Sequence, residues 1–132
     1  MKYFSKNHSK FHICYHVILT VKYRKSILNY SSLDELSKLF KNIETISDFE
    51  ITNIGFDKNH VHLVIYSPPT ISPLQIVRKL KQETTFNIWK THGKTLQTYF
   101  WKEQTLWTDG YFVCTCGEIS EDIIKQYVET QG

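Results

Sequence analysis

Hydrophobic and polar residues alternate early in the chain, as they do along a strand with one buried face. From Phe11 to Tyr23, β-branched and aromatic residues dominate, and every second position points to the same side of an extended segment. The apolar residues on that side are Ile13, Tyr15, Val17, Leu19 and Val21. This pattern predicts the first strand within residues 11–23.

A helical spacing replaces the alternation after Ser32. Ser32 and Glu35 are spaced as in a capping box, where two side chains satisfy free backbone N–H groups at a helix start. Apolar residues then recur every three or four positions: Leu33, Leu36, Leu39, Phe40, Ile43 and Ile46. The pattern predicts a first amphipathic helix that ends near Ser47.

A hairpin and a second helix follow. Residues 50–56 and 60–66 read as strands, and the turn-forming tripeptide 57–59 is short enough to make them antiparallel. Ser72 as N-cap, with Pro73 at the first helical position, predicts the start of the second helix.

The last third of the chain contains another strand and another helix. We expect the second helix to fade before residues 92–93 and the segment 95–109 to be irregular. Residues 111–116 predict a fourth strand, Gly117 a turn, and Ser120 the cap of a terminal helix.

The order β-α-β-β-α-β plus a terminal helix is typical of an α+β ferredoxin-like fold. In that arrangement an antiparallel sheet carries both crossover helices on one face, and its other face is free. The length of 132 residues fits one domain, which we place at 1–132.

Composition narrows the class of protein only slightly. The hydrophobic fraction is 41%, and no apolar run approaches the roughly 20 residues that span a bilayer. The polar start is unlike a signal peptide, so we expect a cytoplasmic protein with no membrane partner. Sixteen Lys+Arg against thirteen Asp+Glu give a net charge of +3, which permits a nucleic-acid partner without demonstrating one.

The three cysteines, Cys14, Cys114 and Cys116, do not predict a disulfide framework. We expect reduced, buried thiols. A zinc site at Cys114 and Cys116 is the alternative, although it would need two further ligands.

Two histidines stand two positions apart on a predicted strand, so His60 and His62 point to the same side of the sheet. Val61, Leu63 and Ile65 then point to the other side and require burial under the helices. The histidine pair should therefore lie on the free face, where it could hold a metal ion. Alternatively, the two are ordinary surface or hydrogen-bonded residues.

The terminal helix carries Tyr127 and Gln131, which lie one turn apart, with Ile123 one turn earlier on the same stripe.

A tyrosine hydroxyl can attack a phosphodiester and keep the phosphate as a covalent ester. Because its ordinary pKa near 10 makes it a weak nucleophile, a divalent cation on the phosphate would help. Imidazole and amide ligands suit Mn²⁺ better than Mg²⁺. Tyr127 could equally be a core or interface aromatic.

Residues 59–64 read Asn-His-Val-His-Leu-Val and resemble the HUH motif, two histidines that flank a bulky hydrophobic residue. Residues 124–131 read Ile-Lys-Gln-Tyr-Val-Glu-Thr-Gln, and the stretches 15–24 and 110–117 add two further matches. With its motifs in this order, nearly the whole chain resembles the single-tyrosine HUH transposases of the insertion-sequence 200/605 group (IS200-like transposase).

The resemblance implies a DNA transposase that cleaves and rejoins single-stranded DNA at hairpin-bearing insertion-sequence ends. Tyr127 would form a 5′-phosphotyrosine intermediate, and His60, His62 and Gln131 would bind Mg²⁺ or Mn²⁺. It also implies a homodimer with shared active sites, in which residues 120–131 are exchanged between subunits through a hinge at Gly117.

Basic and aromatic side chains would contact the DNA. For the phosphates the candidates are Lys22, Arg24, Lys25, Arg78, Lys79 and Lys81, and for unpaired bases they are Tyr23, Trp101 and Trp107. Alternatively, the basic residues are ordinary solvent-exposed side chains and the aromatic residues are ordinary packed side chains. Two other functions remain open: an HUH replication initiator or relaxase-type nickase, and a non-catalytic domain that binds hairpin DNA.

Overall fold

The computed structural model describes residues 4–6, 9–28, 33–117 and 121–131. It begins with a short antiparallel pair of strands, β1 (Phe4–Lys6) and β2 (Ser9–Phe11), which the hydrophobic pattern did not predict.

The main sheet has four antiparallel strands: β3 (Cys14–Thr20), β4 (Glu50–Phe56), β5 (His60–Tyr66) and β6 (Phe112–Thr115). Their spatial order is β4-β5-β3-β6, which places the first and third strands of the sheet at its centre. The ferredoxin-like α+β arrangement is confirmed.

The first strand of the sheet is shorter than its alternation suggested. After Thr20 and Val21 the chain enters a 3₁₀ turn at Lys22–Arg24. Tyr23 and Arg24 adopt positive φ angles of 60° and 51°, a left-handed conformation that a strand does not contain. The turn therefore ends the strand earlier than residue 23.

Three α-helices among the described residues complete the fold: α1 (Leu33–Thr45), α2 (Pro73–Phe100) and α3 (Glu121–Thr130). The predicted start of α2 is confirmed, since the Ser72 hydroxyl accepts from the Gln75 N–H while the Gln75 side chain accepts from the Ser72 N–H. The predicted caps at Ser32 and Ser120 lie outside the described residues.

The prediction that the second helix fades before residues 92–93 is wrong, and so is the irregular assignment of residues 95–100. His92 departs from helical geometry, with φ −124° and ψ 21°, but α2 continues beyond it. Leu96 and Phe100 in this extension are buried in the core. Their burial outweighs the weak helix propensity around Gly93.

The hydrophobic core lies between the sheet and the first two helices. Val61, Leu63 and Ile65 of β5 are fully buried there, as predicted. The helices contribute the buried residues Leu36, Phe40, Ile43, Ile76, Val77, Leu80 and Ile88. Among the described residues, no helix is long and apolar enough to cross a membrane.

The expectation of reduced, buried thiols is wrong for two of the cysteines. Cys14 and Cys116 form a disulfide across a sequence separation of 102 residues, with Cα atoms 5.1 Å apart. Antiparallel pairing of β3 with β6 brings the two together, and the Cys116 N–H donates to the Cys14 carbonyl. Cys114 is the free cysteine, so Cys116 is not available to a Cys-x-Cys zinc site.

Candidate active site

The histidine pair lies on the sheet face opposite the core. His60 and His62 alternate along β5 with the fully buried Val61 and Leu63, so their imidazoles point to the other side. In the register of β3 and β5, Thr20 is opposite His60 and Ile18 is opposite His62. The predicted orientation of the pair is confirmed.

Each histidine has a polar neighbour that restrains its ring. His60 Nδ1 lies 2.9 Å from Asn59 Oδ1, and His62 Nε2 lies 2.9 Å from Nδ1 of His16. Burial lowers the pKa of both His60 and His62, and for His62 the neighbouring His16 and His60 lower it further. Both imidazoles are therefore neutral at pH 7, the form that can ligate a metal.

His16 is a site residue that sequence reasoning missed as such. It occupies β3 at a position between the buried Val17 and the half-buried Tyr15, which pack on the core side. The signal was present, because a polar residue between apolar alternating positions must face the histidine side. Its contact with His62, however, joins residues 46 positions apart.

Tyr127 extends from α3 onto the same face. Its ring packs on Phe112 of β6 at a centroid distance of 5.5 Å. Within the described residues, its hydroxyl is buried without a well-formed hydrogen bond, and so is the hydroxyl of Thr20. Burial raises the pKa of Tyr127, and the nearby hydroxyls of Thr108 and Thr20 oppose that rise.

The side chains of Gln131 and Tyr127 both lie beside Gly110. A Cβ atom at Gly110 would lie 3.3 Å from Gln131 Oε1 and 3.9 Å from the Tyr127 hydroxyl, so the missing side chain leaves room for both groups. The Thr108 hydroxyl also lies 3.5 Å from Gln131 Oε1. The structure therefore brings Tyr127 and Gln131 together, as their helical spacing predicted.

The helix that carries them is attached to its own chain. Val128 is buried, and Arg24 Nη1 donates to the Glu129 carbonyl at 2.7 Å, in the last turn of α3. A guanidinium at this end also complements the helix dipole. Ile123 is 46% exposed and Val128 is buried, so the packed face of α3 includes Tyr127 and Val128 but not Ile123.

The predicted DNA-contacting residues near Arg24 already have protein partners. Lys22 forms an ion pair with Glu103 at 2.8 Å, and the Tyr23 hydroxyl donates to Glu103 at 2.9 Å. Glu103 is the main cause of the raised pKa of Lys22. Tyr23 remains 49% exposed.

The candidates on α2 differ from one another in their surroundings. Arg78 is exposed, whereas Lys79 Nζ donates to the Ile46 carbonyl at 2.7 Å. Lys81 Nζ donates to the carbonyls of Thr108 and Gly110 at 2.6 and 2.7 Å, so it supports the segment beside Tyr127.

The two tryptophans differ in exposure. Trp101 is 72% exposed, but Trp107 is 4% exposed and its Nε1 donates to the Thr84 hydroxyl. The prediction that Trp107 stacks on bases is therefore wrong, because its ring is part of the core.

The donor chemistry of this face fits a divalent cation. His60 and His62 are neutral imidazoles, and Gln131 offers an amide oxygen near the orphaned hydroxyl of Tyr127. His62 Nε2 is engaged by His16, so a cation bound through that nitrogen would replace this contact. No cluster of three His, Cys, Asp or Glu residues suited to a metal occurs in the described ranges.

The fold and the site together define a small α+β protein whose ferredoxin-like sheet carries a histidine pair beneath a helix that bears a tyrosine. A sequence model described as "Transposase IS200 like" matches residues 9–131. The chain therefore belongs to the IS200-like transposase family, and the resemblance noted from its motifs is confirmed. Members of such a family cleave DNA and transfer its strands.

Two curated relatives agree with this assignment. The ISDra2 transposase TnpA of Deinococcus radiodurans is 26% identical over 117 residues, which cover 89% of this chain and 82% of the relative. The transposase for insertion sequence element IS200 of Salmonella typhimurium is 21% identical over 125 residues, which cover 92% of this chain and 81% of the relative.

Solved structures extend the similarity to three dimensions. A transposase crystal structure from Deinococcus radiodurans R1 superposes with a TM-score of 0.86 at 26% identity, covering 99% of this chain and 98% of that one. A REP-associated tyrosine transposase bound to a REP hairpin gives 0.57 at 12% identity, covering 95% and 69%. The second match shows a shared fold alone.

Proposed function

We propose that this transposase cleaves and rejoins single-stranded DNA at hairpin-bearing insertion-sequence ends, with Tyr127 as the nucleophile. One observation carries the proposal: the Tyr127 hydroxyl is buried without a well-formed hydrogen bond within the described residues. It lies beside Thr20, the position paired with His60. A buried polar group is normally satisfied, so a ligand that completes this site is the natural explanation.

The reaction is a transesterification. The Tyr127 oxygen attacks the phosphorus, the bond from phosphorus to the 3′-oxygen breaks, and the phenolic proton passes in net terms to that oxygen. The products are a 5′-phosphotyrosine and a free 3′-hydroxyl, and attack by a 3′-hydroxyl reverses the step. Because burial raises the pKa of Tyr127, the resting nucleophile is protonated and must lose its proton as the new bond forms.

We propose His60, His62 and Gln131 as ligands of Mg²⁺ or Mn²⁺. When bound, the cation would supply positive charge that makes the phosphate more electrophilic and stabilises the departing 3′-oxygen. The chain itself contributes preorganisation: Asn59 orients the His60 ring, and Gly110 gives Gln131 room beside Tyr127.

Hairpin DNA is the proposed substrate because the structurally similar REP-associated transposase is bound to a hairpin. We place Lys22, Tyr23, Arg24, Arg78 and Lys79 at the phosphates and unpaired bases of the DNA substrate. The ion pair of Lys22 with Glu103 would have to be replaced by a phosphate contact, whereas Arg78 is exposed.

Covalent capture tests the enzymatic proposal. Labelled single-stranded oligonucleotides that carry the hairpins flanking the gene are incubated with the protein and Mg²⁺ or Mn²⁺. We expect an adduct that survives denaturant. Tyr127→Phe should abolish the adduct and leave hairpin binding intact, while the matched control Tyr111→Phe should retain the adduct.

An adduct that persists in Tyr127→Phe would assign the nucleophile elsewhere. If the unaltered chain binds the hairpin but forms no adduct with either metal, the protein is a non-catalytic hairpin-binding domain. His60→Ala should bind DNA and lose metal-dependent cleavage.

We further propose a homodimer in which α3 can be exchanged between subunits. In this single chain, α3 contacts its own sheet through Tyr127 and Phe112, so exchange would reproduce the same contacts between two chains. Mixing Tyr127→Phe with His62→Ala subunits should restore cleavage only if sites are shared, because each mutant keeps what the other lacks. Activity that stays at the level of the separate mutants would place each site within one chain.

A further inference from the structure

A groove of about 810 Å³ runs along the outer side of α2, beside the segment 104–109. In the described part of the chain it is lined by three cationic side chains and one carboxylate: Arg78, Lys81, Lys90 and Asp109. This excess of positive charge favours a polyanionic ligand.

An exposed aromatic ring lies among these charges. Phe86 is 60% exposed, and Lys90 Nζ lies 4.3 Å from its ring centroid. The half-buried Trp89 forms part of the wall and is held in place because its Nε1 donates to the Thr105 carbonyl at 2.8 Å. Cations beside an accessible aromatic face are the combination with which proteins bind unpaired nucleotides.

The groove and the nucleophile are both next to the backbone segment 108–110. Lys81 donates to the carbonyls of Thr108 and Gly110, and the same Gly110 lies beside the Tyr127 hydroxyl. From Lys81 to Lys90 the helix rises by about 14 Å, roughly the length of four stacked nucleotides. A strand that leaves the reaction site could therefore follow α2.

We propose that this groove binds the single-stranded DNA next to the cleaved phosphodiester. Arg78 and Lys90 contact its phosphates, and one base stacks on Phe86. The inference rests on the proposed function for its substrate class, and it adds a path for the strand that the motifs did not indicate.

A direct binding assay tests the role of the groove independently of DNA cleavage. The probe is fluorescein-labelled oligothymidylate of 20 nucleotides, which forms no hairpin, and its anisotropy is followed with the full chain carrying Tyr127→Phe so that no covalent product forms. Adding Phe86→Ala should weaken binding about ten-fold through the lost stacking. Adding Arg78→Gln and Lys90→Gln together should reduce the slope of log K against log salt by about 1.4, for two phosphate contacts.

Matched controls lie away from the groove. Ile46→Ala truncates another exposed apolar side chain, and Lys38→Gln removes another exposed cation; both should bind like the parent. Thermal unfolding confirms that every variant is folded.

Groove variants that bind like the parent would overturn the proposal, as would no measurable binding by the parent. A change in sedimentation in place of a change in DNA binding would instead assign the groove to contact between two copies of the chain. Oligothymidylate binding with no Tyr127 adduct on any hairpin would reject the proposed function and leave the groove standing.

Discussion

Successive residues of β5 belong to two faces with opposite properties. Leu63 points into the core and is fully buried, whereas its neighbour His62 points to the other side and is half-buried. Polar groups differ in the same way. On the core side, Trp107 donates to the buried Thr84 hydroxyl. On the other side, the buried hydroxyls of Thr20 and Tyr127 make no well-formed hydrogen bond within the described residues.

This contrast separates the parts of the molecule that stabilise it from those that react. Apolar burial contributes free energy of folding, and a satisfied polar group in the core costs little. The unsatisfied hydroxyls on the histidine face reduce stability unless a ligand completes them. The same strand therefore holds the fold together on one side and keeps reactive groups available on the other.

The largest effect on stability is expected from Leu63→Ala. Removing its buried side chain should lower the free energy of unfolding by about 2–5 kcal/mol, because the transfer free energy is lost and a cavity remains. The neighbouring His62→Ala should change it by less than about 1 kcal/mol while impairing cleavage. Urea unfolding of both variants measures the difference, and equal losses would contradict the division between faces.

A smaller effect of opposite sign is expected for Tyr127→Phe. Deleting a buried hydroxyl that makes no well-formed hydrogen bond removes an unfavourable desolvation, so stability should rise by about 1 kcal/mol or less even though covalent capture is lost. Thermal unfolding without DNA measures it. A clear loss of stability would show that the hydroxyl is hydrogen-bonded in the free protein.

The histidine face should also make stability depend on pH. Burial lowers the pKa of His60 and His62 in the folded protein below the unfolded value of 6.5. At pH values between the folded and unfolded pKa, the unfolded chain therefore binds more protons than the folded one. The contribution of these two residues to the free energy of unfolding is complete above pH 6.5 and is lost as the pH falls through the folded pKa. Urea midpoints from pH 7.5 to 5, measured with chelator, should fall less for the His60→Gln/His62→Gln variant than for the parent.

The smallest effect is expected for Arg24→Ala. Its hydrogen bond to the Glu129 carbonyl is exposed, so global stability should fall by less than about 1 kcal/mol. Hydrogen exchange should nevertheless accelerate several-fold in the last turn of α3 and remain unchanged in α2. If the substitution leaves hydrogen exchange unchanged in the last turn of α3, then Arg24 does not stabilise that turn.

Local patterns were sufficient to predict much of this fold. The alternation in residues 60–66 predicted both the strand and the side on which the histidines lie, because successive side chains of a strand must point in opposite directions. Ser72 and Pro73 predicted the start of α2 for an equally local reason, the capping of free backbone N–H groups. The spacing of Tyr127 and Gln131 likewise placed both at one wall of the site.

Only the tertiary structure decided the features that depend on distant partners. Residue spacing alone did not join Cys14 to Cys116 or His16 to His62, because strand pairing sets those distances. The core stabilises α2 beyond His92 by burying Leu96 and Phe100, against the local helix propensity. In each case the local pattern limits what a segment can form, and packing against segments far away in the chain selects among those possibilities.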